Sequence, residues 1–211
     1  MLDIAQKNSQ VHKIYFKDSK SHSQAHIISD GLIVVAGGFN GKDYTHKVQS
    51  FNPEDNRWRF EVSGLNEPRF DLVCKSTVVR NEVIMLAIGG WNKDGNLNTT
   101  EYFDSTTKLW QIFGNDDDID VASINDGRAH LRRSGSVYGD LGGPVLVGGV
   151  SCGKDSSSES GKKCERSKTA LMFVADPVDP ALDYWEVISK EMGEPRSSHS
   201  ILNLPFNQVC A

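Results

Sequence analysis

The amino-acid sequence predicts an all-β protein built from repeated four-stranded units. Three observations support this prediction: three apolar runs that end in Gly-Gly, aromatic residues at fixed distances after the first two pairs, and turn-forming residues between short strand-like stretches. The glycine pairs are Gly37-Gly38, Gly89-Gly90 and Gly148-Gly149. Self-similarity at a period of roughly 50 residues is typical of repeat architectures.

The first two units have the same internal spacing. In both, a phenylalanine follows the second glycine by 13 residues, and a tryptophan follows 7 residues later. The third unit keeps the order of these residues, but insertions between its strands lengthen the spacing, as repeated β-units tolerate in their connections. The repeated positions, which we interpret as structural, are Gly37, Gly38, Phe51, Trp58, Gly89, Gly90, Phe103, Trp110, Gly148, Gly149, Phe173 and Trp185.

Each unit is predicted to contain four short strands. The second stretch of each unit is continuously apolar, which is typical of a strand buried on both faces. The third and fourth stretches alternate and carry the aromatic residues, and Asn, Asp, Gly and Pro supply turns between them. In the second unit we expect the strands at about Asp71–Val79, Glu82–Ile88, Asn98–Asp104 and Leu109–Phe113.

Together these features resemble the kelch repeat. The matching segments are AGGFNGKDYTHKVQSFNPEDNRW, IGGWNKDGNLNTTEYFDSTTKLW and VGGVSCGK…TALMFVADPVDPALDYW, within about residues 21–203. The resemblance implies an all-β, kelch-type β-propeller in which each repeat forms one blade. The expected division is an N-terminal segment with an edge strand of a preceding blade at 1–20, blade 1 at 21–68, blade 2 at 69–127, blade 3 at 128–195 with a loop insertion at 150–168, and the first strand of a further blade at 196–211.

The number of repeats implies an incomplete ring, with about three blades plus flanking edge strands. Closed propellers usually have about 4–8 blades. Three arrangements stay open: a fragment of a longer chain, a homodimer that completes a six-bladed ring, or completion by another protein.

Strand direction predicts which connections share one end of the blades. In an up-and-down antiparallel blade, the second-to-third connection and the exit to the next blade lie at the same end. We call this end the loop face; the connections are Phe39–Asp43, Trp91–Asn96 and Val150–Lys168, and the exits are Ser63–Phe70, Gly114–Ala129 and Met192–Ser198. Variable loops on a fixed framework are common binding sites. In kelch relatives this face commonly receives peptide segments of partner proteins, so the candidate binding residues are Phe39, Asn40, Arg69, Trp91, Asn92, Arg128, His130, Arg196 and His199.

Two alternatives concern the charged residues of this face. Arg69, Arg128 and Arg196 could instead be structural and hold each blade exit in place by a hydrogen bond to a neighbouring carbonyl. The acidic run at Asp116–Asp120 and the basic residues between Lys154 and Arg166 could dock to each other, present a mixed-charge surface to a partner, or be solvated insertions.

The expected function is that of a non-catalytic scaffold, or adaptor, that binds an unidentified partner protein through the loop face. Two alternatives stay open: a kelch-type propeller enzyme, as an oxidase or sugar isomerase, and an extracellular adhesion or recognition propeller. We predict no catalytic residue, metal ligand or cofactor, because the six histidines are scattered and HExxH and Cys-x-x-Cys motifs are missing. GGVSCGK at 148–154 begins like a phosphate-binding loop, but Asp155 stands where a hydroxyl residue is needed.

Composition sets the expected partners and location. The net charge of −5 argues against a general nucleic-acid binder, and no apolar run reaches the roughly 20 residues that span a bilayer. No signal-peptide pattern begins the sequence, so we expect a cytoplasmic protein. In that compartment Cys152 and Cys164 would be exposed thiols, whereas a disulfide between them would favour an extracellular location.

Overall fold

The computed structural model describes residues 24–27, 33–60, 63–104, 106–112, 135–138, 144–154, 162–178, 183–188 and 192–198. Within these ranges every helix-or-strand element is a β-strand. The strands are β1 Gln24–Ile27, β2 Ile33–Ala36, β3 Val48–Asn52, β4 Arg57–Phe60, β5 Val73–Val79, β6 Glu82–Ile88, β7 Trp91–Asn92, β8 Gly95–Asn96, β9 Thr100–Asp104, β10 Leu109–Ile112, β11 Gly135–Tyr138, β12 Pro144–Val147, β13 Val150–Lys154, β14 Lys162–Arg166, β15 Ala170–Val174 and β16 Tyr184–Val187.

The main strands form three four-stranded antiparallel sheets. Blade 1 has the order β1-β2-β3-β4, blade 2 has β5-β6-β9-β10, and blade 3 has β11-β12-β15-β16. This arrangement confirms the predicted all-β fold of repeated four-stranded units, a partial propeller of three blades within the described residues. In blade 2 each predicted strand agrees with the observed one to within two residues at either end.

The same aromatic pair joins the third and fourth strands of every blade. Phenylalanine and tryptophan lie directly opposite each other, with ring centroids 5.2 Å apart in blade 1, 5.7 Å in blade 2 and 5.3 Å in blade 3. The tilted geometry is one that aromatic pairs prefer. The pairs are Phe51–Trp58, Phe103–Trp110 and Phe173–Trp185, the positions that the repeat spacing identified.

Apolar layers hold neighbouring blades together, and β6 contributes to two of them. Met85 and Ala87 belong to the layer with blade 1, while Ile84, Leu86 and Ile88 belong to the layer with blade 3. Successive side chains of a strand point to opposite faces. The continuously apolar sequence of β6 therefore reflects burial on both faces, as predicted.

An ion pair also links blades 2 and 3, at the end opposite the loop face. Arg80 lies in the β5–β6 turn, and its two terminal nitrogens donate to the Asp183 carboxylate at 2.9 and 3.0 Å. The Asp183 side chain is fully buried, and it also accepts the backbone N–H of Asp176. The hydrogen bond with Asp183 raises the pKa of Arg80 above its ordinary value.

Glycine is required where the second strands of blades 1 and 2 lead into connections that pack against the exit of blade 1. Gly37 has a φ of +64°, and a Cβ atom there would lie 2.5 Å from the carbonyl oxygen of Arg69. Gly90 has a φ of +100°, and a Cβ atom there would lie 2.8 Å from the carbonyl oxygen of Phe70. Any larger residue would both strain the backbone and push the exit segment away.

Candidate functional site

On the loop face, three backbone hydrogen bonds form a closed ring, and the same ring occurs in blade 1 and in blade 3. In blade 1, Gly38 N donates to Arg69 O at 2.7 Å, Arg69 N donates to Thr45 O at 3.3 Å, and Thr45 N donates to Gly38 O at 3.0 Å. In blade 3, Gly149, Arg196 and Ser167 make the same three bonds at 2.7, 3.1 and 3.0 Å. The ring brings the second-to-third connection of each of these blades against its own exit.

Arg69 lies completely buried at the junction of blades 1 and 2. Its Nη1 atom donates to the carbonyl oxygens of Gly89 and Thr99, both at 2.9 Å, and its Nη2 atom donates to the Thr99 hydroxyl and to the Glu67 carboxylate. The remaining nitrogen, Nε, lies 3.0 Å from Oε1 of Glu101. Each nitrogen of the guanidinium therefore has at least one acceptor, which is how a buried charge is tolerated.

Glu101, on β9, receives the exit segment of blade 1. Its carboxylate accepts the backbone N–H groups of Asn66 at 2.6 Å and Glu67 at 3.0 Å, and the Asn66 side chain at 2.9 Å. Charge-assisted bonds of this kind are about twice as strong as neutral ones. The exit segment is consequently fixed to the next blade by both its backbone and its side chains.

The environment of Arg69 corresponds to the structural role given above as the alternative for the arginines. Its side chain is directed at the carbonyls of the next blade and is enclosed by protein. In this geometry Arg69 positions the loop face, and its guanidinium is not presented at the surface.

Three aromatic rings form a half-buried cluster on the loop face, which we call the aromatic trio. Phe39 and Tyr44 come from the second-to-third connection of blade 1, and Phe70 comes from its exit. Their ring centroids are 5.5, 5.9 and 6.2 Å apart. Phe39 and Tyr44 are also joined by an isolated antiparallel bridge. Each ring is partly covered by the other two and partly accessible to solvent.

Blade 2 continues this surface through Trp91. Phe70 and Trp91 exchange two backbone hydrogen bonds of 2.9 and 2.8 Å. This antiparallel bridge joins the exit of blade 1 to the second-to-third connection of blade 2. Trp91 is half-buried, and Asn92 is buried with its Oδ1 atom accepting the N–H of Asp94. A continuous surface therefore runs from the aromatic trio to Trp91.

Exposed charged residues of both signs surround the aromatic residues. They occupy the tips of two turns in which an asparagine side chain accepts the backbone N–H two residues on, a geometry typical of Asx-turns. The turn asparagines are Asn40 and Asn92, and the exposed residues at the tips are Lys42, Asp43, Lys93 and Asp94. The Asn40 side chain also accepts the N–H of Asp43 at 2.7 Å, which fixes the loop of blade 1.

The predicted binding residues are thus distributed over three environments. Phe39, Asn40 and Trp91 lie together on the loop face, whereas Arg69 and Asn92 are buried below it. Arg196 is exposed at the exit of blade 3, and Arg128, His130 and His199 lie outside the described residues. Tyr44 and Phe70 complete the aromatic trio and were not predicted; an aromatic residue directly after Arg69 was the available signal for Phe70.

Blades 2 and 3 each carry an additional two-stranded hairpin on the loop face. Residues 91–96 are predicted above as a connection and residues 150–168 as a loop insertion, whereas the structure shows β7–β8 within the first range and β13–β14 within the second. β13 lies against β8, and Arg166 Nε donates to Ser197 Oγ at 3.3 Å. Residues 116–120, which carry the acidic run, lie outside the described residues.

The part of the chain that the structure describes holds no group of three or more His, Cys, Asp or Glu residues that could bind a metal ion. The same residues include no helix with the length and apolar character that a membrane crossing requires.

Comparison with known proteins identifies the repeat. The family model of the Kelch motif matches residues 22–63, a range that includes the four strands of blade 1. The chain is 25% identical over 189 residues to Kelch repeat-containing protein kel-10 of Caenorhabditis elegans, covering 87% of this chain and 27% of that protein. It is 28% identical over 93 residues to Kelch-like protein 41a of Danio rerio, covering 44% of this chain and 15% of that protein.

The chain therefore spans about a quarter or less of the length of these two relatives. The matched range contains the glycine pair, Phe51 and Trp58 of blade 1, and blades 2 and 3 repeat this arrangement in four-stranded sheets. The matched motif and the similarity to both relatives support a kelch-repeat family for this chain.

Proposed function

We propose that this chain is a non-catalytic protein-interaction module that binds a segment of a partner protein on the loop face of blades 1 and 2. The observation that supports the proposal most directly is the aromatic trio with the adjoining Trp91. Aromatic residues are enriched in protein interfaces because they bury a large area at a low cost in side-chain entropy.

The charges around the aromatic residues suggest how a partner is selected. Lys42, Asp43, Lys93 and Asp94 are all exposed and form a rim of mixed sign. A polar rim around an apolar centre is the common anatomy of protein interfaces, and rim charges mainly control specificity and association rate. We propose that the partner segment places an apolar side chain against the trio and charged groups against the rim.

The rigidity of the site also supports the proposal. The loops that carry the aromatic residues are held by the backbone ring at Gly38, by the Arg69–Glu101 junction and by the two bonds between Phe70 and Trp91. A site that is already ordered loses little conformational entropy when it binds.

The names of both relatives describe kelch repeats and no enzymatic activity. We therefore favour the interaction module over a propeller enzyme. Since the chain covers only part of each relative, the partner and the wider assembly belong to this proposal as well. Arg196 is exposed beside blade 3, and we include it at the edge of the binding surface.

A pair of charge-reversal variants tests the proposal. Lys42→Glu combined with Lys93→Glu changes the rim of the loop face, whereas Arg57→Glu combined with Lys108→Glu changes exposed residues at the opposite end of the blades. The purified variants are compared with the original chain in affinity capture from the source cells, with captured proteins quantified by mass spectrometry. We expect the loop-face variant to lose specific partners that the opposite-face variant retains.

Equal capture by both variants would contradict the proposed location of the binding surface. Loss in both variants would also contradict it if thermal unfolding shows that both remain folded. Phe39→Ala provides a second, uncharged test of the same surface, because it removes one ring of the trio and leaves the buried Arg69 junction in place.

A further inference from the structure

The hairpin β13–β14 brings two cysteines face to face. Its antiparallel register places Cys152 directly opposite Cys164. Ser167 N donates to Gly149 O at 3.0 Å, and these two residues form the opposing pair immediately before Val150 and Arg166. Hydrogen-bonded and non-hydrogen-bonded pairs alternate along an antiparallel ladder. The cysteine pair, three steps further on, is consequently a non-hydrogen-bonded pair.

This register suits a disulfide. The Cα atoms of a non-hydrogen-bonded pair are about 4.5 Å apart, which lies within the span of roughly 4.4–6.8 Å that a disulfide accepts. Cys164 is disulfide-bonded in the structure. Cys74 is a free cysteine buried in the layer between blades 1 and 2, so it is not the partner of Cys164.

We propose that Cys152 and Cys164 form a cross-strand disulfide that acts as a redox-controlled clasp for the loop-face hairpin of blade 3. An isolated two-stranded hairpin is marginally stable in water. This hairpin also pairs Lys154 with Lys162, and like charges in directly opposite positions destabilise a ladder. A covalent link two residues from that pair offsets both effects by keeping the strands in register.

The hairpin lies on the loop face between blades 2 and 3, so its stability affects the binding surface. β13 lies against β8 of blade 2, and Arg166 on β14 bonds to Ser197 in the exit of blade 3. When the disulfide is reduced, the hairpin loses its covalent restraint, and the loop face changes between blades 2 and 3. This consequence rests on the proposed function, whereas the disulfide and its effect on the hairpin do not.

The redox step is thiol–disulfide exchange with a low-molecular-weight disulfide such as oxidised glutathione. The thiolate of one cysteine attacks a sulfur of glutathione disulfide and releases one glutathione thiolate. The thiolate of the second cysteine then displaces the other glutathione from the mixed disulfide. Two protein thiols and one glutathione disulfide thus become one protein disulfide and two molecules of reduced glutathione.

Peptide mapping without reduction tests the pairing. Trypsin cleaves after Lys154, Lys162 and Lys163, so the two cysteines end in separate peptides, 134–154 and 164–166, that only a disulfide can hold together. After equilibration with oxidised glutathione and alkylation, we expect the linked pair, and we expect dithiothreitol to abolish it. Recovery of alkylated Cys152 and Cys164, or of Cys164 joined to Cys210, would overturn the proposal.

Hydrogen exchange tests the clasp separately from partner binding. In the intact chain, reduction is expected to accelerate amide exchange in β13 and β14 by about tenfold or more, because native disulfides stabilise by that amount or more. Cys164→Ser is expected to reproduce the fast exchange without reductant, and the control Cys210→Ser is not.

A linked peptide pair with unchanged hairpin exchange would overturn the clasp and leave the proposed function intact. If exchange responds to reduction but partner capture does not, the clasp stands, and its control of the binding surface is wrong. Loss of capture in the rim variants under both redox conditions addresses the proposed function alone.

Discussion

The Nε atom of Arg69 lies 3.0 Å from Oε1 of Glu101, and neither side chain is exposed to solvent. Arg69 belongs to the exit of blade 1, and Glu101 belongs to the third strand of blade 2, so this pair joins the two blades beneath the loop face. The repeat places a different residue at the Glu101 position in each blade. The residue two positions before the repeated phenylalanine of each unit is Gln49 in blade 1, Glu101 in blade 2 and Leu171 in blade 3.

Glu101→Leu is predicted to destabilise the protein by about 3–5 kcal/mol, because it removes the one fully buried carboxylate of the two that pair with the buried Arg69 and leaves Nε of Arg69 without an acceptor. The backbone N–H groups of Asn66 and Glu67 also lose their acceptor. Urea unfolding followed by tryptophan fluorescence measures the change. A loss below about 1 kcal/mol would show that the ion pair does not hold the junction.

Gln49→Leu is the matched control at the equivalent position of blade 1. Gln49 is only 1% exposed, and within the described residues neither atom of its side-chain amide has a hydrogen-bond partner. Removing an unsatisfied buried polar group costs little or stabilises, and Leu171 shows that the repeat accepts leucine here. We expect stability unchanged or raised by about 1 kcal/mol. A loss as large as that of Glu101→Leu would contradict the assignment of different roles to the two positions.

Trp58 and Trp110, which occupy equivalent positions in blades 1 and 2, are predicted to differ in their contribution to stability. Trp110 is 4% exposed and packs in the layer between blades 1 and 2, whereas Trp58 is half-buried on Phe51. Trp110→Ala should cost about 3–5 kcal/mol, and Trp58→Ala should cost clearly less. Chemical denaturation of both variants measures the difference, and equal losses would contradict the packing described for the two blades.

Arg80→Ala is predicted to loosen the contact between blades 2 and 3. It leaves the buried Asp183 carboxylate with the N–H of Asp176 but without its charged partner. We expect a destabilisation of about 2–4 kcal/mol, reduced from the fully buried case because the Arg80 side chain is partly exposed. Hydrogen exchange should accelerate in β15 and β16 more than in blade 1. Arg80→Lys, which keeps the charge but loses the paired geometry, should give an intermediate result.

Cys74 is predicted to be unreactive in the folded protein. Burial raises its pKa from 9.0 to about 12, so the thiolate that reacts with alkylating agents is almost absent at pH 8. In the unfolded chain the thiol ionises with a pKa near 9. Iodoacetamide at pH 8 should therefore label Cys74 only after denaturation, which mass spectrometry of the tryptic peptide can show. Rapid labelling in the native protein would contradict its burial.

The same shift predicts a pH dependence of stability. The pKa of Cys74 is higher in the folded protein than in the unfolded chain. The stability that the neutral thiol contributes is therefore fully present below pH 9 and is lost as the pH rises from 9 towards about 12. Cys74→Ala should therefore lose less stability than the original chain when the pH is raised from 8 to 10.5. The comparison cancels the titration of lysines and tyrosines, which both proteins share.

The fold was predictable from sequence because its signals are local and repeated. The apolar run of β6 and the spacing from Gly90 to Phe103 and Trp110 report burial and strand order within a single unit. The Arg69–Glu101 pair has no such signal, since the two residues lie 32 positions apart and meet only when neighbouring blades pack. The predicted role of Arg69 as a binding residue was therefore not distinguishable from its structural alternative.

The binding surface was only partly predictable for a similar reason. The parity of antiparallel strands placed Phe39, Trp91 and the exit that ends at Phe70 at one end of the blades. The packing of Tyr44 and Phe70 into one cluster depends on the backbone bridges Phe39–Tyr44 and Phe70–Trp91, which the sequence does not reveal. The hairpin β13–β14 depends on a register that composition does not encode. The cytoplasmic location, the unidentified partner and the absence of catalysis stay predictions.

Site-specific photo-cross-linking tests the central claim most directly. A photoreactive amino acid is introduced at Lys42 on the loop face or, in a matched chain, at the exposed Glu54 in the β3–β4 turn at the opposite end. After irradiation in the source cells, we predict discrete adducts with another protein from position 42 and none of these from position 54. Adducts from position 54 alone, or the same adducts from both positions, would contradict a partner-binding surface on the loop face.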